Sequence, residues 1–421
     1  MARRHPGWGL KLGGIIAAVV LVIGLAACGG GGSSSSGGST GESTGGGGGE
    51  ETASGGSYFV GSTQDLTGPV AFIGGPVSAG FETCADVINE EGGVNGKQLE
   101  FEALDDQSSS EKALTNMKTL LSKDPVVFVS NVTSDAEVPV DEKLAEEEIP
   151  SIAYATAEEL NENEFYYSVG ISTLESFNVA GNYIASKVGS QKPTVAVVGI
   201  ETPAGISGAK EFGESMEKLG WKVKVTEPVS LTAPDASTQS HEVAESGAEW
   251  VITGLLGNQT PVLVKSLKQE GVDAPVINFA PVSEDGVLKA ANSKDFNVVR
   301  DWAAPSDPES KTAEEVREAA KKAGKDDAEN MGSPNFSKGW GECKIVAKGL
   351  EMCGPECDGA GLKEALDEMT EFEVGDLAAP ISFSEESRQG VDSGRVYEWD
   401  PSGGDAKAIS EYFTGTELEA G

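Results

Sequence analysis

Residues 86–99 read DVINEEGGVNGKQL and connect a predicted helix to a predicted strand. The helix is expected to end at Gly92-Gly93, because glycine suits the left-handed cap that closes many helices. Apolar residues before this cap recur every three or four positions, as on one face of a helix; they are Phe81, Cys84, Ala85 and Ile88. With strands predicted at 58–63 and 99–104, this part of the chain indicates a strand–helix–strand unit.

Strands and amphipathic helices continue to alternate after this unit. Residues 126–129 are a short apolar run between polar residues, which is typical of a strand buried on both faces of a parallel sheet. The two successive series predict an α/β fold with two doubly wound lobes, and residues 58–421 are too many for a single core. A ligand is expected in the cleft between such lobes. The other strands are predicted at 195–198, 250–253 and 275–279, and helices at 113–121, 206–219 and 260–271.

These residues carry a resemblance to a known family. Residues 86–99, the acidic pair Asp105-Asp106 and the apolar strand ending at Val129 resemble the leucine/isoleucine/valine-binding proteins of ABC importers. The most specific part is the Asn-x-x-Gly-Gly-Val-x-Gly pattern that begins at Asn89. The resemblance weakens towards the end of the chain, after continuing through residues 148–152 and 194–219.

The resemblance implies the type I periplasmic binding protein fold, in which a three-segment hinge joins the lobes. The implied function is the extracytoplasmic solute-binding component of an ABC importer, with the transporter permease as partner and no cofactor. Its solute would be a branched-chain amino acid or a related small carboxylate or amide. The crossovers are expected near Thr173, Ala304 and Ala379, so that lobe 1 comprises residues 58–173 and 305–379, and lobe 2 residues 174–304 and 380–421.

The same resemblance implies a set of ligand-binding residues. A serine after one strand matches Ser134, and a loop after the next strand matches Ala155 and Thr156. Hydroxyls and free backbone amides at the carboxyl ends of strands are the groups that a small anion needs. A lone Ser or Thr in a loop is more often a cap, but the spacing behind two strands favours a site. The candidate ligand-binding residues are Ser134, Ala155, Thr156, Trp340, Phe72, Ala204 and Ala280.

The second lobe departs from the family pattern. Relatives that bind amino acids have an acid, opposite the ligand's ammonium group, just after the strand that matches residues 276–279. Here that position is Ala280, and the nearest acids, Glu284 and Asp285, come later at a predicted helix start. A buried ammonium group without a counter-charge is strongly disfavoured. We therefore expect a small carboxylate or amide as readily as a branched-chain amino acid.

The N-terminus predicts export and lipid anchoring. Three basic residues, Arg3, Arg4 and Lys11, flank an apolar run over residues 12–27, as in a secretory signal. The run is shorter than the ~20 residues of a membrane-spanning helix, which disfavours the alternative of a transmembrane anchor. Residues 25–28 read LAAC and resemble the lipobox of bacterial lipoproteins, which implies a signal peptide over residues 1–27 and a lipidated Cys28 anchored to the cell membrane. Gly and Ser dominate residues 28–57, which predict a flexible linker.

Four cysteines remain after Cys28, and an even number outside the cytoplasm predicts disulfides. Cys353 and Cys357 flank a Gly-Pro-Glu turn and can pair locally, which leaves Cys84 for Cys343. A metal site is the alternative, but no histidine lies near these cysteines in the sequence, so no metal is expected.

Charge and motifs disfavour several other functions. The net charge of −37 repels phosphate backbones, so nucleic-acid binding is not expected. Residues 58–421 have no Gly-x-Ser-x-Gly elbow and no Walker-type loop, and Asp105 and Asp106 point to opposite faces of an extended segment, so no enzyme activity is expected. The alternatives are a ligand-sensing surface lipoprotein that acts on a receptor and, less favoured, a surface hydrolase.

Overall fold

The computed structural model describes residues 55–130, 134–154, 160, 162–230, 233–257, 259–400, 402 and 404–419. The predicted signal peptide, the lipidated Cys28 and the candidate ligand-binding residues Ala155 and Thr156 lie outside these residues. None of the helices in the described part of the chain is long and apolar enough to cross a membrane.

Lobe 1 is built on a parallel sheet of five strands in the order β2-β1-β3-β4-β5. Apolar residues fill both faces of the central strands, because helices cover both faces of the sheet, but the carboxyl end of β1 buries the polar Ser62, Thr63 and Gln64. The strands are β1 (Ser57–Gln64), β2 (Gln98–Asp105), β3 (Val127–Ser130), β4 (Ser151–Ala153) and β5 (Tyr166–Ser168). The helices between them are α1 (Ala71–Glu90), α2 (Ser110–Leu121) and α3 (Ser134–Glu146).

Lobe 2 repeats this design. Five parallel strands in the order β7-β6-β8-β9-β10 are extended by an antiparallel β11, which pairs with both β12 and β13. The strands are β6 (Thr194–Val198), β7 (Lys222–Val225), β8 (Trp250–Thr253), β9 (Val276–Asn278), β10 (Phe296–Arg300), β11 (Ser393–Asp400), β12 (Asp405–Ala408) and β13 (Phe413–Thr414). The helices are α4 (Thr173–Val188), α5 (Pro203–Lys218), α6 (Ser237–Ser246), α7 (Thr260–Gln269) and α8 (Asp285–Ala291).

The chain then returns to lobe 1 through four helices, α9 (Lys311–Ala323), α10 (Ala328–Met331), α11 (Pro334–Cys353) and α12 (Gly359–Asp367). Helices α1 and α11 pack backbone to backbone: a Cβ atom on Gly80 would lie 2.0 Å from the carbonyl oxygen of Phe336, and one on Gly339 2.0 Å from that of Val77. Only glycine permits this approach.

Two disulfides strengthen this helical layer. Cys84 on α1 bonds to Cys343 on α11, with their Cα atoms 6.1 Å apart, and Cys353 bonds to Cys357, with theirs 5.4 Å apart. These are the pairs that the spacing of the cysteines predicts. The first joins residues that are 259 positions apart and fixes α11 to the start of lobe 1.

The predicted α/β fold with two doubly wound lobes is confirmed. The chain passes between the sheets three times: after β5, after β10 and before β11. A capping box of Ser172 and Glu175 starts α4 at the first crossover. The exact lobe boundaries stay a prediction, but Phe383 packs edge-on against Tyr167 and Gln389 bridges Ser168, which favours a third crossover closer to β11 than the predicted Ala379.

Candidate ligand-binding site between the lobes

The strand order defines where a ligand is expected in each lobe. In both sheets the order reverses between the first strand and the third, at β1 and β3 in lobe 1 and at β6 and β8 in lobe 2. Ligands of doubly wound sheets bind beyond the carboxyl ends of the strands at such switch points. Ser134 begins α3 directly after β3, Phe72 is the second residue of α1 after β1, and Ala204 lies in the first turn of α5 after β6.

Beside the lobe 1 switch point, a buried lysine meets an aromatic ring and a carboxylate. The side chain of Lys338, on α11, is 2 % exposed. Its Nζ lies 3.8 Å from the ring centroid of Tyr154, which follows β4, and 3.5 Å from Oδ2 of Asp301, which follows β10. A buried ammonium group needs such partners to offset its lost hydration.

Lobe 2 contributes an acid to the same region. Glu284 is the N-cap residue of α8, and its Oε1 accepts a hydrogen bond of 3.3 Å from Nδ2 of Asn335 on α11. Burial raises the pKa of Glu284 to about 7, although its own backbone N–H and the charges of Arg300 and Lys338 act to lower it. Arg300 itself is held by Asp285 at 2.8 Å, so its charge is already paired. Glu284 therefore changes charge near neutral pH.

Tyr154 stays protonated in this setting. Burial, with the negative charges of Asp301, Glu284 and Glu175, raises the pKa of Tyr154 well above its ordinary value. The phenol is thus a neutral group within electrostatic reach of the Lys338 cation and of these three acids. It can accept or donate a hydrogen bond without changing the charge of the site.

The remaining predicted residues are placed as follows. Ala280 lies two residues after β9 and is buried, and its N–H donates to Oγ of Ser176 at 3.4 Å. Trp340 is also buried, and the Nζ of Lys344 lies 5.4 Å from its ring centroid. Because α-helical residues advance by about 100° each, Trp340 lies about 200° round α11 from Lys338. The structure therefore does not bring Trp340 together with the Lys338 cluster.

Four residues of this cluster were not predicted as ligand-binding residues: Tyr154, Lys338, Asp301 and Asn335. Tyr154 adjoins the predicted Ala155–Thr156 loop, which was a usable signal. Lys338 stands between Phe336 and Trp340 in a stretch that is otherwise apolar or small. A lone lysine in a buried helix has to pair with something, and that signal was available from the sequence.

The acidic pair at the end of β2 makes local hydrogen bonds. Asp105, the last residue of β2, accepts from the N–H of Leu66 at 3.0 Å, and Asp106 accepts from the Thr63 hydroxyl at 2.9 Å and from the N–H of Ser108 at 2.8 Å. Asp105 thus holds the loop after β1, whereas Asp106 connects β1 to the loop after β2. No group of three or more metal-ligating side chains occurs among the residues that the structure describes.

Surface pockets lie elsewhere. One of about 560 Å³ runs between α7 and α8, and one of about 450 Å³ lies beside the α12 end, lined by Met352 and residues 368–373. Neither contains a residue of the Lys338 cluster. We place the site by the convergence of charged groups from both lobes rather than by these pockets.

A bilobed α/β protein with opposite charges from its two lobes facing one another belongs to the class of hinged solute binders. The sequence model of one family, described as periplasmic binding protein, matches residues 57–405. The chain belongs to this family. It is therefore a solute-binding protein that functions outside the cytoplasm, with the type I periplasmic binding protein fold.

The names of individual relatives state the amino acids that those proteins bind. The chain is 27% identical over 341 residues to the leucine-, isoleucine-, valine-, threonine- and alanine-binding protein of Pseudomonas aeruginosa, covering 79% of this chain and 87% of that protein. It is 24% identical to the Leu/Ile/Val-binding protein homolog 3 of Brucella melitensis biotype 1, covering 81% and 91%.

Solved structures agree on the fold. A branched-chain amino acid ABC transporter protein from Thermus thermophilus with bound valine superposes with a TM-score of 0.72 at 18% identity, covering 85% of this chain and 96% of that one. A fatty acid ABC transporter substrate-binding protein from Thermomonospora curvata superposes with a TM-score of 0.70 at 19% identity, covering 85% and 92%. The fold alone thus accommodates chemically different solutes.

Proposed function

We propose that this protein is the solute-binding component of an ABC importer and that it captures a branched-chain amino acid between its lobes. The Pseudomonas relative, named for binding leucine, isoleucine, valine, threonine and alanine, supports this class of solute. The protein would deliver the amino acid to a transporter permease and would act by binding alone, without catalysis.

The observation that supports an amino acid is the position of Glu284. The sequence lacks an acid at Ala280, but the carboxyl group of Glu284 faces α11 of the opposite lobe, within the electrostatic reach of Lys338. In this proposal Glu284 pairs with the ligand's ammonium group. It replaces the missing acid from a position further along the same loop.

The ligand carboxylate would bind lobe 1. Ser134, Ala155 and Thr156 are proposed to donate to it. Phe72 and Ala204, at the switch points of the two lobes, are proposed to line the apolar part. A solute that contacts both lobes binds the closed form more tightly and so drives closure.

Titration calorimetry with L-leucine at pH 8 tests the assignment. Glu284→Gln should weaken leucine binding at least about 30-fold, because removing one partner of a buried charge pair costs about 2 kcal/mol or more. Glu217→Gln, at an exposed acid on α5 of the same lobe, is the matched control and should leave the affinity unchanged. Equal leucine affinity in the two variants would refute the role of Glu284.

We also propose that Cys28 is lipidated and holds the protein at the membrane. Cys28→Ala should release the protein or leave it unprocessed in a cell fractionation experiment. Normal cleavage and unchanged extraction with membranes would contradict the anchor.

A further inference from the structure

Lys338 contacts groups that belong to different moving parts. Its ammonium group lies over Tyr154, the residue directly before the predicted Ala155–Thr156 loop, and also beside Asp301 in the second crossover. Both Lys338 and Asp301 are 2 % exposed, so bulk solvent does not stabilise either charge in place of the other. One buried cation therefore joins the edge of the predicted ligand loop to the hinge.

Asp301 in turn connects two of the three crossovers. Its Oδ1 accepts from the N–H of Trp302 at 3.1 Å, and its Oδ2 accepts from the N–H of Ile171, in the first crossover, at 3.4 Å. The indole Nε1 of Trp302 donates to the carbonyl of Val169 at 2.8 Å. The two crossovers are thus held together by a carboxylate that Lys338 neutralises.

Tyr154 also contacts the first crossover directly. A Cβ atom on Gly170 would lie 2.1 Å from Cδ2 of Tyr154 and 3.4 Å from Oδ2 of Asp301. The ring therefore packs against bare backbone, at a position where a side chain has no room. A continuous set of contacts runs from Tyr154 through Lys338 to both crossovers.

We propose that Lys338 is a positioning residue that couples Tyr154, at the carboxyl end of β4, to the hinge. With its cation in place, the buried Asp301 carboxylate has a charged partner and keeps the amides of Ile171 and Trp302 bonded, so the two crossovers move together with Tyr154. Without the cation, the buried carboxylate has no counter-charge, and its hydrogen bonds to those amides loosen. This role is separate from solute identity.

Hydrogen exchange of the ligand-free full-length protein tests the coupling at single-residue resolution. In Lys338→Met, which keeps the length of the side chain but removes its charge, the amides of Ile171 and Trp302 should exchange at least about tenfold faster. Amides of β6 and β8 should keep their rates, whereas a general loss of stability would accelerate them too. Lys348→Met, two to three turns further along α11 and partly exposed, is the matched control and should change none of these rates.

Tyr154→Leu provides a second, independent variant, because it leaves the charges of Lys338 and Asp301 in place. It should also accelerate exchange at Ile171, since the ring holds both Lys338 and the backbone at Gly170. If Lys338→Met does not fold, the exchange rates of Tyr154→Leu alone test the proposal. Rates at Ile171 and Trp302 within about twofold of wild type in the folded variants would overturn the proposal, whether or not the protein binds leucine.

Discussion

The acid Asp141 should make the stability of lobe 1 depend on pH. Asp141 lies on α3 with 1 % of its surface exposed, one turn after the fully buried Glu137. Burial raises the pKa of Asp141 to about 7, and hydrogen bonds with Ser151 and Glu137 oppose the shift. The neighbouring positions of the helix, Ala136, Val140 and Leu144, form an apolar cluster that supplies no counter-charge. A proton is therefore held more tightly in the folded state than in the unfolded chain.

The direction in which the free energy of unfolding changes with pH follows from proton linkage. The pKa of Asp141 in the folded state exceeds its value in the unfolded chain, so folding takes up a proton between about pH 4 and pH 7. The free energy of unfolding therefore falls as pH rises through this window, and the loss is complete above about pH 7. From pH 5 to pH 8 the cost is on the order of 3 kcal/mol, at about 1.4 kcal/mol per pKa unit.

Asp141→Asn removes this titration and tests the reasoning. Its free energy of unfolding relative to wild type should increase by about 3 kcal/mol between pH 5 and pH 8, in guanidinium unfolding followed by circular dichroism. Glu142→Gln changes the adjacent, exposed acid of the same helix and should show no such trend. A difference between Asp141→Asn and wild type that stays constant from pH 5 to pH 8 would refute the argument.

Three further results are expected. Leucine affinity should increase in wild type as pH rises through about 7, since Glu284 must be ionised to pair with an ammonium group, and calorimetry should find this pH dependence absent in Glu284→Gln. Replacing both Cys84 and Cys343 by serine should lower the free energy of unfolding by about 2–4 kcal/mol in denaturant titrations. Replacing Cys353 and Cys357, which are only 4 positions apart, should lower it by less and serves as the control. Gly339→Ala should destabilise the protein by about 1–3 kcal/mol in the same assay, because its methyl group meets the α1 backbone, whereas Gly286→Ala, which meets nothing within 4 Å, should not.

Much of the fold could be predicted because parallel strands buried on both faces leave uninterrupted apolar runs. Residues 126–129 and 250–253 show this pattern, and both lie on central strands of their sheets. The exact ends of the helices were harder to predict from the sequence. The helix predicted at 260–271 has Gln259 as its N-cap residue, and the hydroxyl of Thr260, its first residue, donates back to the carbonyl of Leu255 at 3.1 Å. A threonine that caps a helix and a threonine whose hydroxyl bonds back to a preceding carbonyl cannot be distinguished from the sequence.

The site could be predicted only in part, because its charged residues come from distant segments. Tyr154, Glu284, Asp301 and Lys338 follow or belong to four different elements, and no sequence spacing links them. The sequence shows that position 280 is an alanine, but the approach of Glu284 to Asn335 on α11 depends on a tertiary turn. That turn is held by the Ser283 hydroxyl, which donates to the carbonyl of Ala280 at 2.8 Å.

The central claim is that the cleft recognises both charges of an amino acid. Titration calorimetry of the wild-type protein at pH 8 with L-leucine and with 4-methylpentanoate, which is leucine without its amino group, tests it most directly. If Glu284 pairs with the ammonium group, leucine should bind at least about 30-fold more tightly. Equal affinity for the two compounds, or binding of 4-methylpentanoate alone, would contradict the account.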